Sequence, residues 1–533
     1  MKKILSVILF FIGAVICDIN AQPAGIEKGL NAISTDAIKA QLEFLSSDWT
    51  EGRKTGEKGE YLAADYIASM LQVYGIKPGG DYPSERGLSN LAANKEKTYF
   101  QNYILIKTSA GDEQVLKVRT NDANTIKTYS YTYNIDFTVR PVDRSMEVEA
   151  PVVFAGYGFR SEKLRHDDLS KLDLNGKFIL KISGTPGFAK KTLSQSELSA
   201  ASSEFEKTVR EKGALGIIEF SPGQTIARYR FNYQNSEMSP SENNPSAGIP
   251  WANYSLPGKK NQESFFKIVI SVGTANDILS GTGFVLDDFI KESETNSNAV
   301  IPIIKSKSIF LKTSVKTETV KVRNVIGILE GTNPDQIIVL GAHYDHLGMA
   351  NGYTWNGADD NGSGTVGVMT IAKAFMESGI KPAKTLIFAL WSAEEEGLLG
   401  SRYYVENLQY PKKNLRLNVN FDMISRYISE NEPKKVSMIY TESCSVFRAI
   451  TEENIKIYNI DLDVDFQPSN DPPGGSDHRS FVAEGIPVMR FKPGHREQYH
   501  TPDDETGTVN WDIMEKIIKI SFANIWDLAN SDW

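Results

Sequence analysis

The chain has 533 residues, of which 41% are hydrophobic, 23% charged and 10% aromatic. This is the composition of a globular protein, and the length allows roughly two to four domains. The formal net charge is −9 and lysine and arginine form no dense cluster, which argues against nucleic acid and anionic membrane surfaces as partners.

The amino-terminal segment has the layout of a secretory signal peptide. Two lysines precede an apolar run at residues 4–16, which is too short to span a bilayer because that takes about 20 apolar residues. We predict that residues 1–21 are removed by cleavage after Ala21 and that the protein is exported, periplasmic or secreted. Cys17 leaves a lipid anchor as a less favoured alternative. Cys444 is then the only remaining cysteine, so we expect no internal disulfide.

Two helices and a group of strands are predicted next. Residues 37–47 and 60–76 carry apolar side chains at helical spacing, and a polar loop at 51–59 separates them. Residues from about 99 to 140 are rich in Tyr, Thr, Val and Ile, which favours strands. We assign residues 22–136 to the first part of the main domain.

Residues 137–305 predict an inserted, β-rich α/β module. Short apolar segments alternate there with turns that contain glycine, and a polar stretch at 232–247 is typical of a long loop. The predicted elements are strands at 151–159, 178–182, 215–220 and 265–272 and a helix at 200–212.

Residues 306–533 follow a strand–loop–helix pattern. The strands are nearly continuous apolar runs, which indicates burial on both faces. We therefore predict an α/β fold with a mixed, mostly parallel twisted sheet and helices on both faces. The predicted strands are 323–331, 336–343, 385–391, 417–421 and 486–491, and the predicted helices are 362–378, 444–457 and 511–529.

Four of these strands end in side chains that can bind a metal ion. Because ligands of open α/β sheets bind beyond the carboxyl ends of the strands, we expect these side chains to lie together. They are His343 to His346, Glu394 to Glu396, Asp422, and Tyr499 with His500, and Asp359 and Asp360 lie in an intervening loop.

Imidazole and carboxylate ligands together suit zinc, and a site short of full protein coordination is typical of catalysis. One imidazole with two or three carboxylates could hold one ion. Two imidazoles with several carboxylates fit two ions about 3.5–4 Å apart. A spare carboxylate could then serve as a general base.

These motifs resemble the secreted co-catalytic di-zinc aminopeptidases, a metallopeptidase family that also includes glutamate carboxypeptidases, glutaminyl cyclases and the transferrin receptor. The resemblance covers about residues 26–110 and 310–533, and it implies a zinc-exopeptidase fold with residues 306–533 as the catalytic domain. Residues 137–305 are similar to the protease-associated domain often inserted in this family. The motifs are His343-x-Asp345, GADDNGSG at 357–364, AEEEG at 393–397, Asp422, SDH at 476–478 and YHTP at 499–502.

The resemblance implies a role for each motif residue. His343, Asp359 and Asp422 would hold one zinc, and Asp359, Glu395 and His500 the other, so that Asp359 bridges two Zn²⁺. Glu394 would be the general base for a hydroxide held between the metals. Asp345 would orient His343, and Asp360 would follow Asp359 through a cis peptide bond. Tyr499 would hydrogen-bond the tetrahedral intermediate.

Several neighbouring side chains have a structural interpretation. We predict that His346 is structural and that His478 shapes the substrate pocket. For His495, a place at the rim of the pocket and a purely structural role are equally favoured. Arg426 and Arg490 could bind a substrate carboxylate, but we favour structural ion pairs for both.

The sequence GSGTVG at 362–367 also matches the G-x-G-x-x-G fingerprint of dinucleotide-binding loops. That fingerprint should directly follow a strand, with an acidic residue about 20 positions on. Neither condition holds, and two aspartates precede the glycines. We therefore reject a nicotinamide cofactor.

The resulting hypothesis is a zinc exopeptidase that removes residues from peptides with a free amino terminus. Three alternatives stay open: a carboxypeptidase or dipeptidase on the same scaffold, a single-zinc glutaminyl cyclase, and a non-catalytic binding protein. The residue preference and the oligomeric state do not follow from the sequence.

Overall fold

The structure is a computed structural model that describes residues 25–83, 96–122, 125–140, 142, 144–222, 252–258, 265–350, 352–427, 429, 431–494 and 498–533. The predicted signal peptide, the predicted loop at 232–247 and His495 lie outside the described residues.

The strands are numbered in chain order. They are β1 Lys77–Pro78, β2 Phe100–Asp122, β3 Thr125–Tyr131, β4 Phe137–Val139, β5 Met146–Phe154, β6 Arg160–Ser161, β7 His166–Asp167, β8 Phe178–Ile182, β9 Gly216–Phe220, β10 Ala252–Ser255, β11 Phe266–Ile270, β12 Lys307–Leu329, β13 Asn333–His343, β14 Gly348–Ala350, β15 Tyr353–Trp355, β16 Lys384–Trp391, β17 Leu415–Phe421, β18 Lys435–Thr441, β19 Asp463–Ser469 and β20 Val488–Lys492.

Each predicted helix has an observed counterpart, and several short helices were not predicted. The observed helices are Thr35–Leu45, Lys58–Val73, Gly187–Lys190, Gln195–Glu211, Val272–Leu279, Leu286–Glu292, Gly364–Ser378, Leu399–Glu406, Val446–Ile457, His478–Val482 and Trp511–Asn530, and residues 25–32 are also helical.

The chain divides into two units, one formed by Met1–Leu105 with Val320–Trp533 and one formed by Ile106–Thr319. The second unit begins earlier and ends later than the predicted module at 137–305. The reason is that β2 and β12 each contain a unit boundary, so the chain passes between units within long strands rather than in loops.

The first unit contains a mixed sheet in the order β19-β18-β20-β17-β13-β16-β12. Strand β13 pairs in parallel with β16 and β17, and β17 pairs in parallel with β20. Strand β12 is antiparallel to β16, and β18 is antiparallel to β20. The predicted mixed, mostly parallel sheet is therefore confirmed, and its parallel centre aligns the carboxyl ends of four strands.

Both faces of this sheet are covered by helices. Along β13, Ile338 and Leu340 belong to a core that includes residues of the helices Gly364–Ser378 and Trp511–Asn530. The alternating Ile337 and Val339 belong to a second core with Tyr404 and Phe481 from the short helices behind the sheet. This period of two explains why the strand reads as a continuous apolar run.

The second unit has its own core. Strands β5, β8, β9 and β11 form a parallel sheet, and β4 adds to β11 in antiparallel orientation. Phe205 and Val209 of the helix Gln195–Glu211 pack with Ile179 and Ile217 on one face. The α/β character predicted for this module is observed. In the part of the chain that the structure covers, no helix is long and apolar enough to cross a membrane.

Candidate metal centre

The candidate site lies at the carboxyl ends of the parallel strands. His343 is the last residue of β13, the acidic run at 394–396 begins three residues after β16, and Asp422 directly follows β17. Parallel pairing places these three ends at one edge of the sheet. The residues that the sequence predicts as ligands are therefore brought together by the sheet.

One carboxylate contacts both predicted imidazole ligands. Asp360 places Oδ1 3.4 Å from Nε2 of His343 and Oδ2 3.0 Å from Nε2 of His500. Asp360 is 3% exposed. Asp360 is thus placed between the two rings, with one carboxylate oxygen near each.

Asp360 lies where the sequence analysis expected Asp359, between the two imidazoles. The Oδ1 of Asp359 accepts hydrogen bonds from the hydroxyl and the amide of Ser425, and its Oδ2 lies 3.5 Å from Nε of Arg426. The cis peptide bond is also one residue later than predicted, between Asp360 and Asn361. The backbone at Asp360 is extended rather than helical, so the two adjacent side chains diverge.

Three further carboxylates complete the site. The ligand atoms of His343, Asp360 and Glu395 form one compact group, and those of His343, Glu394 and Asp422 form another. The Oε2 of Glu395 also lies 3.2 Å from Nε2 of His500. Six side chains thus surround a common volume, and both groups share His343.

The site has more negative than positive charge, and the pKa values of its groups reflect this. Burial opposes protonation of His343, but the carboxylates of Glu394, Asp360 and Asp422 raise its pKa well above the usual value. Although burial disfavours the ionised form of Glu395, the imidazole of His500 lowers the pKa of Glu395 to about 2. The cluster of carboxylates is therefore stabilised by positive charge beside it.

These residues fit a divalent metal centre. The Nε2 of His500 is buried and makes no hydrogen bond of good geometry, although two carboxylate oxygens lie near it. The ligand atoms within each of the two groups all lie within 4.8 Å of one another. Imidazole and carboxylate donors grouped in this way are the ligands that zinc takes in catalytic sites.

Asp345 organises the site in two ways. The Nδ1 of His343 lies 3.2 Å from the backbone oxygen of Asp345, and donation of a proton to that oxygen leaves Nε2 free to bind a metal. The Asp345 carboxylate accepts hydrogen bonds from the amides of Glu394 and Glu395. From the sequence we expect Asp345 to orient His343. The sequence does not predict that the Asp345 carboxylate also binds the backbone of the acidic loop.

Comparison with known proteins agrees with this geometry. The model of Peptidase family M28 matches residues 324–525, which contain all six side chains of the cluster. This segment belongs to Peptidase family M28. We call it the M28 domain below.

Curated relatives match about a third of this chain. The chain is 34% identical over 166 residues to the leupeptin-inactivating enzyme 1 of Streptomyces exfoliatus, which covers 31% of this chain and 34% of that protein. It is 34% identical over 190 residues to the probable leucine aminopeptidase 2 of Aspergillus oryzae, which covers 34% of this chain and 36% of that protein. The chain thus spans about a third of the length of these relatives.

Solved structures share the fold over nearly the whole chain. The aminopeptidase from Aneurinibacillus sp. strain AM-1 aligns with a TM-score of 0.58 at 18% identity and covers 95% of this chain and 97% of that one. BSAP, a zinc aminopeptidase from Bacillus subtilis, aligns with a TM-score of 0.53 at 18% identity and covers 94% and 96%. At this identity the likeness concerns the fold alone.

Within the M28 domain, Asp504 supports the loop that carries Asp360. Its carboxylate accepts hydrogen bonds from the amides of Asp359 and Asp360 and pairs with Arg426 at 2.7 Å. The structural ion pair predicted for Arg426 is confirmed. Sequence reasoning did not predict this role of Asp504, because nothing in the sequence indicates a partner 145 residues away.

Arg53 lies outside the M28 domain and was missed by sequence reasoning. Its guanidinium is 1% exposed and donates to the backbone oxygens of Leu45, Tyr344, Asn356 and Gly357. Burial lowers the pKa of Arg53 to about 10. One side chain thereby ties the loop after His343 to the loop before Asp360.

His346 contacts the metal centre directly. Its Nδ1 lies 2.7 Å from Oε1 of Glu395, and its ring packs edge-on against the ring of His500. The structural role predicted for His346 is therefore to hold one oxygen of the Glu395 carboxylate, while the other oxygen lies near His500.

The cluster opens into a pocket of about 730 Å³ that Tyr499 also lines. Tyr499 is 40% exposed, and its ring stacks on His500 with the centroids 3.8 Å apart. A phenol at this position reaches the same space as Glu394. The tyrosine predicted to contact the reacting group thus lies at the pocket.

The glycine fingerprint at 362–367 has a packing explanation. A Cβ at Gly364 would lie 2.4 Å from the backbone oxygen of Phe421, so glycine is required where the helix Gly364–Ser378 begins against the end of β17. Gly357, before the aspartates, has a φ of 52°. The fingerprint therefore serves close packing at the metal centre.

Proposed function

We propose that this protein is a zinc-dependent aminopeptidase that hydrolyses the amino-terminal peptide bond of peptides. The observation that supports this most directly is the convergence of two histidines and four carboxylates on one pocket of the M28 domain. The names of the curated relatives and of the fold neighbours agree with an aminopeptidase.

The residues divide into two ligand sets that share Asp360. His343, Asp360 and Asp422 would hold one zinc ion, and Asp360, Glu395 and His500 the second. When bound, zinc ions supply Lewis acidity that polarises the scissile carbonyl and makes water nucleophilic near neutral pH. This assignment keeps the set predicted from the sequence, with Asp360 in the place of Asp359.

Glu394 is the proposed general base. It lies in the ligand cluster, 3.9 Å from Nε2 of His343, and lines the pocket. Burial and the neighbouring Glu395 carboxylate raise the pKa of Glu394 well above its usual value. A carboxylate with a raised pKa accepts a proton from the attacking water and can return it to the leaving amine.

Tyr499 is proposed to stabilise the reacting group. Its hydroxyl would donate a hydrogen bond to the oxygen on which negative charge develops. The names of the curated relatives and of the fold neighbours favour an aminopeptidase over a carboxypeptidase on the same scaffold.

The test combines metal removal with one substitution. Exhaustive chelation should abolish hydrolysis of amino-acid anilides, and zinc should restore it at two ions per chain. Glu394→Gln should retain zinc, measured by elemental analysis, and lose turnover. Activity that survives chelation, or full activity of Glu394→Gln, would overturn the proposal. One zinc per chain would favour the glutaminyl cyclase alternative, and faster cleavage of amino-blocked peptides would favour a carboxypeptidase.

A further inference from the structure

The pocket beside the metal centre contains two cationic side chains that the proposed reaction does not use. Arg490 and Lys492 line it together with the carboxylates of the cluster. They are the third and fifth residues of β20, and side chains two apart on a strand point to the same face.

Arg490 is buried without a carboxylate partner. It is 3% exposed, its Nε makes no hydrogen bond, and it forms no ion pair with the acidic residues that the structure describes. Arg426, which is also 3% exposed, shows the contrast. Its guanidinium reaches Asp504 and Thr508, each at 2.7 Å. The structural ion pair predicted for Arg490 is therefore not observed.

His478 holds Arg490 in place. The Nε2 of His478 lies 3.1 Å from the backbone oxygen of Pro473, and Nδ1 lies 3.2 Å from Nη1 of Arg490. Burial and the guanidinium lower the pKa of His478 to about 3. The ring is thus neutral, donates to Pro473 through Nε2 and accepts from Arg490 through Nδ1. This occupies one guanidinium N–H and orients the rest.

The ammonium group of Lys492 also has few hydrogen-bond acceptors. Among the described residues its Nζ reaches only the sulfur of Met423, at 3.5 Å, and a thioether is a weak acceptor. An ammonium group in a partly buried wall is normally paired with an acid or exposed to water. Lys492 therefore has donors available to a group inside the pocket.

The charge of the pocket changes when metals bind. Its lining includes four carboxylates, from Asp360, Glu394, Glu395 and Asp422, and two cations, from Arg490 and Lys492. Two divalent ions would neutralise the four carboxylates. Arg490 and Lys492 would then be the unbalanced charges of the lining, which favours an anion in the pocket.

Access to Arg490 is preserved by a glycine. A Cβ at Gly474 would lie 3.1 Å from Nη1 of Arg490 and 3.4 Å from Cε1 of His478. Gly474 and Gly475 both line the pocket. Because no side chain projects there, the guanidinium can be reached by a bound molecule.

We propose that Arg490 and Lys492 form a carboxylate-binding subsite that selects peptides with an acidic group near the scissile bond. The geometry of a guanidinium matches a carboxylate through two N–H donors, and Lys492 adds a point charge. The carboxylate can come from an acidic side chain or from the carboxyl terminus of a short peptide. The inference rests on the proposed peptidase function and names its substrate class.

Binding of four peptides to zinc-loaded Glu394→Gln separates the two sources. Glutamyl-alanine amide and glutaminyl-alanine amide differ in side-chain charge, and alanyl-alanine and alanyl-alanine amide differ in terminal charge. We expect the charged member of one pair to bind on the order of tenfold more tightly by calorimetry, since hydrogen bonds to charged groups are the stronger ones.

Substitutions of Arg490 and Lys492 test whether these two residues cause the tighter binding of the charged peptide. Arg490→Met and Lys492→Met, each in the Glu394→Gln background, should bring the affinity ratio of the preferred pair close to one. Lys412→Met is the matched control, because Lys412 pairs with Glu484 at an exposed site away from the pocket, and its ratio should not change. If Arg490→Met does not fold, Lys492→Met and Lys492→Gln carry the test.

Equal affinities within both pairs, or a ratio that survives substitution of both residues, would overturn the subsite. Turnover by the unsubstituted enzyme tests the proposed function separately. An enzyme that removes amino-terminal residues without preference for carboxylates would overturn the subsite alone. A protein that binds the charged peptides through Arg490 but cleaves none would overturn the peptidase proposal alone.

Discussion

The Oδ2 of Asp360 lies 3.0 Å from the Nε2 of His500, whereas the adjacent Asp359 accepts hydrogen bonds from Ser425. Two aspartates in succession therefore have unrelated roles. Asp360 joins the two imidazoles of the cluster, and Asp359 holds the loop that follows Asp422. The pair offers a matched test, because both side chains are buried and have the same chemistry.

Asp360→Asn should lose zinc, and Asp359→Asn should keep it. An amide cannot supply the charge of a bridging carboxylate, so we expect the zinc content of Asp360→Asn to fall and its activity to disappear. Asp359→Asn weakens buried hydrogen bonds and should lower the free energy of unfolding by about 1–3 kcal/mol. Elemental analysis and denaturant titration measure the two effects. Loss of zinc in Asp359→Asn alone would restore the original assignment.

His346→Ala should weaken metal binding without removing a ligand. The imidazole holds Oε1 of Glu395 at 2.7 Å, and loss of such supporting contacts typically reduces metal affinity about 10–100-fold. Competition with a chromophoric chelator measures the dissociation constant. His166→Ala is the control, since His166 lies in the Ile106–Thr319 unit and pairs with Asp168. Equal affinities of the two variants would contradict the role given to His346.

Arg53→Met should destabilise the protein strongly. It would leave four backbone oxygens without the donor they have now, and each unsatisfied buried acceptor costs about 1–3 kcal/mol. We expect the free energy of unfolding to fall by at least about 3 kcal/mol. Lys54→Met is the neighbouring control, because the one ion pair of Lys54 with a described residue is at 3.6 Å, to Glu396. Similar stability losses in the two variants would argue against Arg53 as the tie between the loops.

Glu60 should make stability depend on pH near neutrality. Burial, with the Asp345 carboxylate nearby, raises the pKa of Glu60 from 4.5 to about 8. The protonated form is thus favoured in the folded state. Its contribution is fully present below the unfolded pKa and is lost as pH rises through the folded value, an effect of up to several kcal/mol.

The Glu60→Gln variant lacks this titration. The unfolding free energy of the unsubstituted protein, relative to Glu60→Gln, should therefore decrease between about pH 5 and pH 9. Denaturant titrations of both proteins at each pH provide the measurement. A difference that is constant across this range, or that grows with pH, would show that Glu60 is ionised in the folded state.

Much of the central sheet could be predicted from local patterns. The apolar run from Ile337 to Leu340 indicates a strand buried on both faces, and the cores on each side use alternate residues of it. The acidic run after β16 predicts carboxylates at the end of that strand, and Glu394 and Glu395 do lie in the cluster. These features are local, because strand burial and motif spacing depend on neighbouring residues.

Other features could not be predicted because their partners are distant in the chain. Arg53 donates to an oxygen 291 residues away, and Asp504 supports a loop 145 residues before it. Arg490 and Arg426 have the same sequence signal, yet one has a carboxylate partner and the other faces the pocket. Only the residues that surround each guanidinium in the folded protein distinguish the two arginines.

The sequence by itself determined the α/β fold of the main domain and the types of side chain that bind metal, since these follow from apolar periodicity and from the residues at the strand ends. Only the tertiary structure decided that Asp360 rather than Asp359 lies between His343 and His500. The direction of each carboxylate depends on the backbone turn at Asp360 and on the amides, hydroxyl and guanidinium that capture Asp359. Those contacts exist only when the ends of separate strands meet.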